Sequence, residues 1–265
     1  MTESWRGPRR LLMAALGGLT VFYLLAPTLV IVPMSFTEAK ILSFPPQGFS
    51  LQWYQRMFTD PQWSSGMLHS AQVAVLTAIL ATVLGTLAAL GLTRGRFPGR
   101  TAVNALALSP LIVPVVIIAI GMFSLFVQWR ISGSLIGLVL AHTALAMPFV
   151  IVNVGTSLRT MDRNLELAAA NLGADPRRTF TRITLPIILP GVLAGAIFAF
   201  ITSWDEVVVA IFLTSARFRT LPVEMWEQVR QVVDPTVAAV STTLLVVTTA
   251  LLLLLFVVRR QSPAR

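Results

Sequence analysis

The side chains able to do chemistry are few in this chain, and what is missing narrows the possibilities first. Cysteine is absent, which removes thiol nucleophiles, Cys-ligated zinc and disulfide frameworks together. The one lysine, Lys40, has no glycine-rich loop ahead of it, so the G-x-x-x-x-G-K-[ST] phosphate cradle of a P-loop ATPase is missing. His69 and His142 stand far apart and neither sits in an HExxH pattern; each reads as a polar residue within a helix. What remains is the run Trp204-Asp205-Glu206, set in a long apolar stretch. Adjacent carboxylates there can offset part of the desolvation of a passing cation, and an indole face can hold an ammonium. The competing reading is an acid pair at headgroup level, neutralised by Arg217 or Arg219, with Trp204 in an interfacial aromatic belt. No acid–base or metal constellation supports an enzyme.

The elements that must position these residues follow from composition. Of 265 residues, 55% are hydrophobic and only 12% charged, and the mean hydropathy is +0.79. So few charges cannot cover a soluble surface, so the bilayer is the solvent. Six apolar stretches are long enough to cross about 30 Å of hydrocarbon, which takes about 20 helical residues. They fall at Leu11–Pro33, Met67–Thr93, Ala102–Val127, Ser134–Gly155, Ile187–Leu213 and Val237–Val258. In lipid such stretches must be helical, since every backbone N–H and C=O needs an internal partner. The expected class is an all-α polytopic membrane protein with six transmembrane helices. On this scheme Asp205 and Glu206 lie about 27 Å beyond Ile187 at 1.5 Å per residue, in the outer part of the fifth helix and pointing about 100° apart. The first stretch follows Arg6, Arg9 and Arg10; it is too long for a signal-peptide core and reads as an uncleaved anchor.

Basic residues set the orientation. With the N-terminus cytoplasmic, inside segments hold 14 of the 20 Lys and Arg residues and outside segments hold six. Both termini are therefore expected in the cytoplasm. The net charge of +9 is then a topology signal rather than a nucleic-acid footprint. Pro110, Pro114, Pro148 and Pro190 fall inside spans, where neighbouring helices or water must satisfy the freed carbonyls. Beyond the fifth span, Pro222 opens a short amphipathic helix, with Val223, Trp226, Val229 and Val233 on one side and Glu224, Glu227, Arg230 and Gln231 on the rest.

One cytoplasmic loop is more than a linker. Asp162 can cap a helix whose apolar positions Leu165, Ala168, Ala169 and Leu172 share one face. Gly173 supplies the left-handed residue that ends it. Asp175-Pro176 then opens a second helix, which runs through Phe180 and Ile183 and is expected to stop before Pro186. Two short helices with an apolar ridge and a basic rim make a protruding knob suited to docking.

The residues Ala168-Ala169, Gly173, Ile183, Leu185 and Pro186 reproduce the spacing of the coupling motif E-A-A, three residues, Gly, nine residues, Ile-x-Leu-Pro. In this the chain resembles the permease subunits of ABC importers. Leu167 stands where that motif has its acid, and Glu166 precedes it. The resemblance runs from about Ser64 to Phe256, so residues 1–63 form an added anchor and external segment. The permease core is 64–258, with the coupling loop at 157–186, and the tail is 259–265. The resemblance implies the type I importer permease fold in a bacterial inner membrane. It also implies two separate ATPase subunits that carry ATP and Mg, a second homologous permease subunit and an external substrate-binding protein. No nucleic acid and no cofactor of this chain's own are expected. The stretch Ser203–Pro235 resembles the spermidine/putrescine group, which has an acidic pair near the same place followed by Leu-Pro and Asp-Pro. Related importers of other solutes, among them GABA, opines and ferric ion, are similar there. A self-contained secondary carrier would be expected to show internal repeats or midplane charges, and neither is found.

Overall fold

In a computed structural model of the protein, residues 8–231 and 234–260 are described, with only the backbone for residues 8, 9 and 257–260. Arg6, Val233 and Arg265, used in the reading above, lie outside the described residues, as do the side chains of Arg9, Arg259 and Arg260. The chain falls into two units: residues up to Asp60 with Glu227–Leu245, and Pro61–Trp226 with Val246 onward.

In the smaller unit, α1 (Pro8–Met34) is a span whose apolar window has no buried residue. The segment that follows is held by hydrogen bonds rather than regular structure. Trp53 Nε1, in α2 (Gln52–Thr59), donates to the Thr37 carbonyl at 2.7 Å. Arg56 meets Asp234 at 2.7 Å.

In the larger unit, α3 (Pro61–Arg94) places proline in its first turn, where a missing N–H costs nothing. Its buried face is a stripe of small residues, among them Gly66, Ser70, Ala74, Thr77, Ala81, Gly85 and Ala89. Small residues let backbones approach where lipid gives no hydrophobic drive to pack. The chain then bends: α4 (Arg100–Leu108) and a 3-10 turn at Ser109–Leu111 meet α5 (Val115–Gln128) at 102°. Pro114, extended at ψ 126, is the breaking point.

Next come α6 (Leu135–Thr160), α7 (Asn164–Asn171), α8 (Pro176–Thr179) and α9 (Leu185–Trp204). The helices α3, α6 and α9 form the core, each packed on the other two. Val150 of α6 is its clearest knob. A Cβ built on Gly85 would lie 2.7 Å from the Val150 Cβ, and one on Gly195 would lie 2.9 Å from its Cα. Only glycine fits on either side of that valine.

Then α10 (Val208–Leu213) packs on α5 and α6. It is followed by α11 (Leu221–Gln231) and α12 (Thr236–Arg260), each divided between the two units. Among the described residues, five helices are long and apolar enough to cross a membrane; the bent α4–α5 pair makes the sixth if it counts as one span.

Three expectations change. The fifth span ends at Trp204 rather than Leu213, because Glu206 starts a separate helix there. The helix opened by Pro176 does not stop before Pro186. It continues through a π-helical turn, Phe180–Thr184, as one helix from Pro176 to Trp204. In that turn the Leu185 N–H reaches five residues back to the Phe180 carbonyl, a register shift that lets a proline ride inside a helix. Finally, the expected polar face of α11 is partly inside. Glu224 is buried, accepting from Gln62 at 2.7 Å with Arg219 at 3.8 Å, whereas Trp226 and Val229 are exposed.

Candidate functional site

The loop between α6 and α8 is built from capping chemistry. Asp162 Oδ1 accepts from the Asn164 N–H at 2.9 Å and α7 begins. At the other end the Gly173 N–H donates to Ala170 O at 3.0 Å and the Ala174 N–H to Ala169 O at 3.0 Å. That pair of bonds is the Schellman closure, and it requires the left-handed φ of +84° at Gly173. Asp175 Oδ1 accepts from the Arg178 N–H at 2.7 Å, with Pro176 in the first turn of α8. Gly173, Asp175 and Pro176 act as read from sequence, whereas Asp162 precedes the N-cap, Arg163, and turns the chain into α7 instead of capping it.

The ridge faces away from the body. Leu165, Leu167 and Leu172 are 46%, 53% and 89% exposed, and Ala168 is exposed beside them while Ala169 is half-buried. Large apolar side chains at the tip of a polar loop are out of place unless a partner covers them. Ile183 and Leu185 are half-buried on the inward side, with Ile183 packed on the cluster around Val150, Val154 and Ile188. Pro186 is exposed.

Glu166 does not point out from the exposed tip of the loop. Its carboxylate turns inward, where Arg94 Nε at the end of α3 lies 3.2 Å from it and Thr184 Oγ1 donates to it at 2.9 Å. Glu166 therefore ties α7 to α3 and to the π turn. The tie spans a cavity of about 430 Å³, lined by Leu90, Glu166, Ala170, Ala174, Phe180 and Thr184 among others. Arg94 and Thr184 were missed in the sequence because nothing local marks a contact between residues so far apart.

The second candidate is the break after α9. Asp205 caps that helix and is exposed, with Thr248 Oγ1 at 3.3 Å as its side-chain partner. Glu206 is half-buried, and its carboxylate accepts from the Val209 N–H at 3.0 Å and the Ala210 N–H at 3.4 Å, capping α10. The two acids are not consecutive helical residues, so the 100° argument fails and their roles differ for another reason. Trp204 is buried and stacked on Phe200 at 5.7 Å; it is neither a surface-belt tryptophan nor an open face for an ammonium.

The histidines are structural joints: His142 Nδ1 meets Ser203 Oγ at 2.8 Å between α6 and α9, and His69 Nδ1 meets the Arg219 carbonyl at 2.9 Å while its ring stacks on Phe218. Among the described residues, no group of three or more His, Asp or Glu could hold a metal.

A helical membrane core that carries an apolar-tipped loop is the architecture of a transport-system membrane component. A family model described as the binding-protein-dependent transport system inner membrane component matches residues 81–263, and the chain belongs to that family. More particularly, it is 34% identical over 244 residues to the putrescine transport system permease protein PotI of Escherichia coli (strain K12), covering 89% of this chain and 85% of the relative. It is also 34% identical over 221 residues to the spermidine/putrescine transport system permease protein PotC of Haemophilus influenzae (strain ATCC 51907 / DSM 11121 / KW20 / Rd), covering 83% of this chain and 85% of the relative. A chain from the crystal structure of a bacterial ABC transporter involved in the import of the acidic polysaccharide alginate shares the fold. Its TM-score is 0.71 at 14% identity, over 100% of both chains.

Proposed function

We propose that this permease is one membrane-spanning half of an ATP-driven importer of polyamines. The other half is a second permease subunit, and an external binding protein delivers the cargo. Of the two ATPase subunits, which bind the ATP and Mg²⁺, one docks on this chain's loop, at the exposed side chains of Leu165, Leu167 and Leu172. The loop and both termini face the cytoplasm, as the arginine asymmetry argues. The catalytic work belongs to the ATPases; this chain converts their movement into access through the core. The observation that carries the importer reading is the outward apolar ridge on a rigidly capped loop. The putrescine and spermidine/putrescine relatives, matched over most of their length, support the substrate class.

Asp205 is the acid of the cargo pathway in this reading, because the Glu206 carboxylate is occupied by the backbone of α10. Trp204 supports the helix end that presents Asp205, rather than touching cargo itself.

The test is reconstitution of the permease with its second permease, ATPase and binding protein in proteoliposomes. Uptake of labelled putrescine or spermidine should require ATP and the binding protein, with GABA and ferric ion as competitors. ATP-dependent uptake of another solute, with none of polyamine, would overturn the substrate class. Uptake by this chain alone would overturn the coupling.

A further inference from the structure

A second polar site lies at the end of the core that carries the loop, on the residues flanking the Arg94–Glu166 tie. A cavity of about 280 Å³ opens between the last two turns of α3, the start of α4 and the last turns of α6. At about 30 Å³ per molecule it would hold on the order of nine waters. Its polar lining is Thr93, Arg100, Thr101, Asn104 and Arg159, set over an apolar floor that includes Gly155. Two of these groups approach one point: a Cβ built on Gly155 would lie 3.8 Å from Arg159 Nη2 and 4.0 Å from Thr93 Oγ1, while Arg100 and Arg159 are both open to the outside of the chain.

Three observations give the cavity a sign. First, no carboxylate pairs with Arg100 or Arg159 among the described residues. The nearby acids are committed elsewhere: Glu166 to Arg94, Asp175 to Arg178 and Asp162 to the Asn164 N–H. Second, α4 starts here on Gly99 with φ +80° and no side-chain cap, so its first-turn amides lack acceptors. Third, the charges do not cancel. Two guanidinium groups and the start of α4 contribute about +2.5, and the ends of α3 and α6 remove about 1, leaving roughly +1.5.

In the proposed reading, the position of the cavity along the helices indicates the source of the anion. Its lining residues on α3 and α6 sit in the last turns of two helices long and apolar enough to cross the bilayer, the end at which such helices meet headgroups. The α4–α5 bend of 102° turns α4 away from the direction of α5, with Val103 and Leu106 exposed. Basic pockets between transmembrane helices on this side are suited to anionic headgroups, and paired arginines grip a phosphate by bidentate hydrogen bonds.

We infer that Arg100 and Arg159, with the uncapped start of α4, form a site for the phosphodiester of an anionic phospholipid headgroup. This rests on the proposed reading in placing the site in the cytoplasmic leaflet, but its test does not depend on the cargo. The assembled transporter is reconstituted into nanodiscs of phosphatidylcholine, with or without phosphatidylglycerol, and retained lipid is counted by native mass spectrometry after mild extraction. The wild type should hold phosphatidylglycerol at least tenfold more than the Arg100→Gln/Arg159→Gln variant does. Gly155→Leu keeps both arginines but extends a side chain into the cavity, and it should lose retention similarly. Arg159→Lys should keep part of it.

Equal retention in wild type and the double variant overturns the site. A separate arm titrates inorganic phosphate into phosphatidylcholine discs. Arginine-dependent phosphate binding, with no preference for phosphatidylglycerol, overturns the lipid source. Release of the ATPase or second permease by the double variant, with lipid retention intact, makes the arginines a protein contact and overturns the proposal. If retention depends on the arginines but no polyamine is moved, the proposal stands and the substrate reading alone fails.

Discussion

At the scale of single residues, Gly173 separates backbone from packing cleanly. A Cβ there meets nothing within 4 Å, so any penalty for a side chain comes from φ +84° alone. A left-handed β-branched residue costs roughly 1–2 kcal/mol, which is enough to undo the Schellman closure of an exposed eight-residue helix. Gly173→Val should therefore insert normally and yet lose transport and substrate-stimulated ATP hydrolysis; Gly173→Asn, which tolerates this conformation, should be milder. Normal transport by the valine variant would remove the loop from the coupling path. The acids after α9 form a similar contrast. Asp205→Asn keeps volume and removes the charge, so uptake of a dication or trication should fall severalfold with assembly intact. Glu206→Gln still offers a carbonyl oxygen to the Val209 N–H and should change uptake less. A larger loss in Glu206→Gln would assign the pathway to the wrong acid, and unimpaired uptake in both variants and their combination would leave no acid in the pathway. The capping residues could be read from sequence because each signal and its target are neighbours. The division of labour between Asp205 and Glu206 could not, because the apolar run Val207–Leu213 looks like a continued span. The Glu206 carboxylate on the first amides of α10 and the packing of α10 on α5 mark it as a separate helix.

At the scale of elements, α7 is tied to the end of α3 by a polar contact over a cavity, while Ile183 packs the following turn on the core. Glu166 has Arg94 on one side and Thr184 on the other, with both members of the ion pair less than a quarter exposed. Hydrogen bonds to a charged group in such a setting contribute about 1.5–3 kcal/mol. Removing the carboxylate should let α7 float while its own caps remain. Glu166→Ala is expected to speed amide exchange across residues 164–171 by at least tenfold and to lower transport; Glu166→Gln, still able to accept from Thr184, should fall between. Unchanged exchange would mean that Ile183 and the π turn hold the loop without this tie. The π turn shows where local signals mislead. Proline at position 186 reads as a stop, yet the preceding carbonyls shift register and the helix runs on, so α8 and the core helix α9 are one helix, with α7 joined to it through residues 172–175.

At the scale of the whole molecule, lipid made much of the architecture legible. A chain this apolar has helices as its way of crossing the bilayer, and the span positions follow from length alone. What escaped was the shape of the third crossing, where Pro114 divides two helices at 102°, and every long-range polar pair. Periodicity names a face but not the residue it meets, as Glu224 shows: assigned to the polar side of α11, it is buried against Gln62. Orientation is the remaining large-scale expectation, and it rests on arginines whose effect is set during insertion. The absence of cysteine makes it directly measurable, since any single introduced cysteine is the only thiol in the chain. Asn171, exposed in α7, and Gln47, exposed in the segment after α1, should lie on opposite faces of the membrane. In intact spheroplasts a membrane-impermeant maleimide should label Gln47→Cys and spare Asn171→Cys; after permeabilisation both should react. Labelling of Asn171→Cys from outside would place the loop on the wrong side of the membrane to meet an ATPase, and with it the phosphodiester cavity in the outer leaflet. Labelling of neither before permeabilisation would place residues 35–60 inside, and the count of 14 against six basic residues would then have to be explained by something other than topology.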